Sequence, residues 1–307
     1  MSDNLRNKAS KAKELQVIAE SKSEYGDFAY KLAARSLESH LDELSQIELT
    51  SQASTAFEML DFRIISPNLK TGSAPLDMVS KLTEEIRKTL GFAALRLMQG
   101  GIDKKRIPKD LYGELDLRLQ GLLPGSSRFV ISAASNRDLL DDGLSKGAIE
   151  RMFDVLLSMG QGENFLTSVN ILGPSSAKSL REFLKVIKSY SATAEFTWKY
   201  SGDEIIRWSG TKEALDSVTS ALEVTEIIEQ EKVLLQGKIE LLSKRERIEL
   251  RVHEGKLVKI LYPKSKLPEV SELHLEQEVT LYCQVTETEN PLTNESSIFY
   301  ELLEVRS

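Results

Sequence analysis

The chain predicts an α+β fold, a mainly antiparallel sheet with helices, followed by a small OB-like or SH3-like β-barrel at the C-terminus. Before about residue 229, strand-type runs come in hairpins separated by helical runs, not in strict βαβ alternation. After it, five short strand-type runs follow one another to the C-terminus. The composition is that of a globular protein: 307 residues, 41% hydrophobic and 28% charged, enough for two or three domains. The expected division is an N-terminal helical hairpin at 1–50, an α+β body at 51–228 and the barrel at 229–307.

In the first segment Leu5, Ala9, Ala12 and Leu15, then Phe28, Leu32, Leu37, Leu41 and Leu44, recur at helical spacing, with a turn around Ser23 and Gly26. The period changes at Phe57, where FEMLDFRII reads as a strand stopped by Pro67. A long amphipathic helix follows from Pro75, with Ser73 as its cap and Gly100 and Gly101 as its stop. Its expected buried face is Leu76, Val79, Leu82, Ile86, Leu90 and Ala94. In GELDLRLQGL, Leu115, Leu117 and Leu119 alternate with polar neighbours, predicting a hairpin that returns through RFVISA. Helices are expected at about 144–159 and 175–190. A second hairpin, AEFTWKYSGDEIIRWSG, carries both tryptophans, and a helix near 211–223 closes the body.

The expected barrel strands are VLLQGKIELLS, RIELRVHE, KLVKILYP, EVTLYCQVTE and SIFYELLEV, with a longer connection before the fourth. Their charge is uneven. Lys232 to Lys266 holds ten Lys/Arg against four Glu, whereas Glu269 to Glu304 holds nine Glu and no base. OB-folds bind single strands with a basic groove and stacking aromatics. The basic half has the charge and only one aromatic, Tyr262. Three readings stand side by side: two solvated halves that attract each other, a protein-binding barrel, and a nucleic-acid site at Lys238, Lys244, Arg245, Arg247 and Arg251.

Signals for chemistry are missing from the sequence. The three histidines belong to no HExxH, and neither GxxxxGK[ST] nor GxSxG occurs. In NRDLLDDGLSKG, Leu140 interrupts the alternate oxygen ligands of a calcium loop, so a turn or cap is expected. The glycines of LMQGG and SMGQG read as helix stops rather than phosphate cradles. No catalytic, cofactor or metal residue is nominated, and no enzyme activity is expected. The single Cys283 reads as a strand-core residue, which with no apolar run of membrane-spanning length or secretory leader predicts a soluble cytoplasmic protein. A net charge of −7 argues against a protein that coats nucleic acid.

Four stretches, FRIISPNLKTGSAPLDMVSKL, LRLQGLLPGSSRFVI, FTWKYSGDEIIRWSG and LLQGKIELLSKRERIELRV, resemble segments of uncharacterised bacterial proteins that join an α+β body to a C-terminal barrel. The resemblance covers roughly residues 57–307 and rests on turns and alternating strands. It implies an architecture and no reaction, in proteins of accessory or defence-type operons. The expected function is therefore that of a non-catalytic accessory protein. Its expected partner is another protein or a second copy, in the role of adaptor, regulator or effector neutraliser, with nucleic acid as the alternative and no membrane.

Overall fold

The computed structural model describes residues 57–306, apart from 68, 70–72, 102–105, 124–126, 135–142, 200–204, 244–245, 254 and 292. The expected N-terminal hairpin lies outside the described residues. What is described is α+β, with two mostly antiparallel sheets and seven α-helices. No helix among the described residues is long and apolar enough to cross a membrane.

The body is built on strands β1 (Phe57–Ile65), β2 (Arg118–Leu123), β3 (Ser127–Ala134), β4 (Thr193–Lys199) and β5 (Ile205–Gly210). They lie in the order β2-β3-β1-β4-β5, every pair antiparallel, so the first strand sits at the centre. Alternation puts Leu60, Phe62 and Ile64 on one face of β1, all buried. Against that face pack α1 (Leu76–Gln99), α3 (Leu144–Leu157) and α5 (Pro174–Ser189). Phe62 and Phe196 meet edge to face with centroids 4.9 Å apart, and Trp208 stands 5.0 Å beyond Phe196. The second tryptophan, Trp198, is buried, and its indole N–H donates to Glu58 at 2.9 Å.

Four local expectations need correction. Leu76 is 86% exposed, because the helix begins there and its first turn overhangs the core. Pro75 rather than Ser73 holds the N-cap position, and no side chain caps it. The segment expected to open the first hairpin folds partly as a helix, α2 (Lys109–Leu115). Leu111 and Leu115, one turn apart, both reach the core, and Asp116 at φ 40° ends the helix before β2 begins. A helix that the pattern reading left out, α4 (Glu163–Leu172), fills the gap between α3 and α5. Helix α6 (Lys212–Val224) closes the body, with the Thr211 hydroxyl accepting from the Ala214 N–H.

The second sheet contains β6 (Glu226–Ser243), β7 (Arg247–Val252), β8 (Leu257–Leu261), β9 (Glu278–Asn290) and β10 (Glu295–Arg306). Its order is β10-β8-β7-β6-β9, and β9 pairs with β10 to close the ring. Only β8 with β10 is parallel. The interior is filled by Ile239, Ile248, Leu250, Val258, Ile260, Leu281, Cys283 and Leu302. Gly237 permits the close approach of β6 and β7, since a Cβ there would lie 2.2 Å from the Arg251 carbonyl oxygen. The connection from β8 to β9 holds a short 3-10 turn and α7 (Leu267–Ser271), with Val270 and Leu273 turned into the core.

Candidate functional site

Strands β6, β9 and β10 are longer than the ring requires. At their far ends they form a three-stranded arm. Burial along β9 shows how the arm is used: Leu281 and Cys283 are buried on the barrel side, whereas Gln284, Thr286, Thr288 and Asn290 are buried on the opposite side. The strand changes its covered face half-way along, from an apolar interior to a polar contact with the body.

That contact is a seam of buried polar groups. Arg96, near the end of α1, donates from Nη1 to the Gly101 carbonyl at 2.8 Å and from Nη2 to Asn170 Oδ1 at 3.1 Å. Its guanidinium lies 3.6 Å from Glu301 on β10, and both side chains are buried. Glu301 in turn accepts from the Gly101 N–H at 2.6 Å. Gly100, at φ 64°, leaves space for this carboxylate, because a Cβ there would stand 2.0 Å from Glu301 Oε1. Asn170 also donates to Thr288 Oγ1 at 2.6 Å, and Thr167 meets Ser297 at 2.9 Å. A second ion pair joins Arg151 of α3 to Glu246 before β7, at 3.0 Å. Burial lowers the pKa of both guanidinium groups, and their carboxylate partners oppose the shift.

The other side of the arm is the more exposed one among the described residues. Directly paired residues share a face, so Ile228, Glu287 and Ile298 form one line across β6, β9 and β10, and Glu226, Glu289 and Ser296 form the next. Ile228 is 37% and Ile298 is 56% exposed. This face continues from the barrel interior by way of Val285 and Tyr300, making a platform at the barrel mouth.

Of the basic residues nominated from the sequence, Lys238, Arg247 and Arg251 lie away from the arm, on β6 and β7. Lys238 forms an ion pair with Glu276, Arg251 with Glu240, and Arg247 with Glu249 at 3.3 Å. Hydrogen bonding from Arg251 lowers the Glu240 pKa, and bonding to Glu276 raises that of Lys238. Lys244 and Arg245 lie outside the described residues. Lys238 and Arg251 are cross-strand neighbours, so the structure brings these two together, each on its own carboxylate.

Sequence reasoning missed Arg96, Asn170, Thr288 and Glu301. One signal was present for Arg96, a lone charge inside the apolar run FAALRLM. The threonines and Asn170 carry no such signal. Comparison of the chain with protein-family models, curated proteins and solved structures finds no match.

Proposed function

We propose that this chain is a bacterial accessory protein without chemistry of its own, whose task is to bind another protein as adaptor, regulator or effector neutraliser. The observation that carries this reading is the platform, where Ile228 and Ile298 are partly exposed on a sheet whose reverse side packs on the body. Exposed aliphatic side chains on a held surface suit a protein interface. On the basic strands, three of the nominated cations already have carboxylate partners, which reduces what they offer to phosphates.

We read the ring as OB-like. Supporting this are the strand order, the parallel pairing of its third and fifth strands, and the helix between its third and fourth. A cytoplasmic setting suits a lone thiol that burial pushes up to about 12. Nucleic-acid binding through Lys238, Lys244, Arg245, Arg247 and Arg251 is the second reading, supported by the position of Lys238, Arg247 and Arg251 on the first two strands of the ring.

Affinity capture of the tagged chain from a bacterial host, with nuclease and at high salt, separates the two. The expected result is a protein that co-purifies with the wild type and is lost with Ile298→Asp. Fluorescence anisotropy with single-stranded DNA and RNA supplies the opposing test. Affinity falling by about 10³-fold or more between about 50 and 200 mM salt, and abolished by Lys238→Glu with Arg251→Glu, would favour nucleic acid.

A further inference from the structure

We infer that the platform at the barrel mouth takes a basic extended segment of its partner, one that carries Lys or Arg two residues away from an aliphatic side chain. This rests on the protein-binding reading and adds the chemistry of the partner.

The face presents apolar and acidic groups together. Ile228 and Ile298 flank Glu287 in one register line, and Glu226 lies directly across from Glu289 in the next. Like charges directly opposite on neighbouring strands repel each other, and a cation between them relieves the repulsion. Two carboxylates, Glu226 and Glu289, thus stand side by side one register line beyond the isoleucines. Isoleucines supply apolar area and glutamates supply the sign of the field. An extended segment turns every second side chain to one side, so an aliphatic residue over the isoleucine line sets the residue two further along, a cation, over Glu226 and Glu289.

The reverse side of the arm cannot offer the same surface. Thr286, Thr288, Asn290 and Ser297 are buried there against the body. Among the described residues of the arm, the platform side is the one with exposed aliphatic groups, and the buried seam holds it in place.

The test uses the full chain and a synthetic peptide of repeating leucine-serine-lysine-serine, with a peptide that has serine in place of each leucine as control. Calorimetry should show binding of the first peptide and at least about tenfold weaker binding of the second. Ile228→Ser with Ile298→Ser, and separately Glu226→Lys with Glu289→Lys, should each weaken binding by about tenfold or more at unchanged melting temperature. Hydrogen exchange should slow in 285–300 when the first peptide is added. Equal affinity for both peptides, retention by both double variants, or protection confined to other strands would overturn the inference. A host protein whose capture ignores the platform variants would overturn it while keeping the protein-binding reading. Capture of no protein at all would remove both.

Discussion

Replacing Arg96 by alanine should cost about 3–5 kcal/mol of stability, because it leaves the Glu301 carboxylate buried without its counter-charge. Losing packing alone would cost less. Arg96 also satisfies the Gly101 carbonyl and Asn170 Oδ1, so its removal orphans two further acceptors at the same joint. The expected measurement is equilibrium urea unfolding, read as a fall in midpoint at unchanged slope. A paired replacement, Arg96→Met with Glu301→Leu, should recover most of the loss, since apolar residues can replace a buried ion pair at little cost. Near-wild-type stability of Arg96→Ala alone would mean that the seam is hydrated and the joint loose.

The second large effect belongs to the barrel. Leu250 is fully buried and lies opposite Ile239 and Val258 on the neighbouring strands. Leu250→Asp removes an apolar side chain and places a carboxylate where the surrounding core offers only hydrocarbon. A loss of about 4–5 kcal/mol or more is expected, enough to unfold a domain of ordinary stability. Thermal unfolding followed by circular dichroism checks it. Glu249→Gln, one residue away on the less buried face, serves as the mild control. An unchanged melting temperature in Leu250→Asp would refute the strand register.

These two sites differ in how readable they were. Leu250 was legible because Ile248, Leu250 and Val252 alternate with Glu249, Arg251 and His253, and a period of two has one simple meaning. The same holds for the central strand FEMLDFRII and the long helix ending at Gly100. The α4 helix was not legible, since GQG before it and GP after it read as loop punctuation around a short run. Leu115 was misassigned because its neighbours Leu117 and Leu119 continue an alternation that a helix end interrupts.

The seam was the least legible part. A strand such as β9 shows apolar alternation only while it faces the barrel interior, from Val279 to Val285. Beyond that its buried side is Thr286, Thr288 and Asn290, residues that composition assigns to the surface. The platform was hidden for the same reason. Ile228 and Ile298 look like core positions in sequence, and only the change of covered face leaves them partly exposed. The uneven charge was read correctly as a count, yet the pairing of Lys238 with Glu276 brings the two halves into contact.

The body and the barrel should behave as one cooperative unit through the seam, because only a fixed arm presents a fixed platform. Two probes lie conveniently on either side. Both tryptophans, Trp198 and Trp208, belong to the body, and the only cysteine, Cys283, is buried in the barrel. Unfolding in urea should be followed in parallel by tryptophan fluorescence and by alkylation of Cys283. The two transitions should coincide in midpoint and slope. Exposure of Cys283 at a lower urea concentration than the fluorescence change would show a barrel that unfolds on its own, and would contradict that cooperativity.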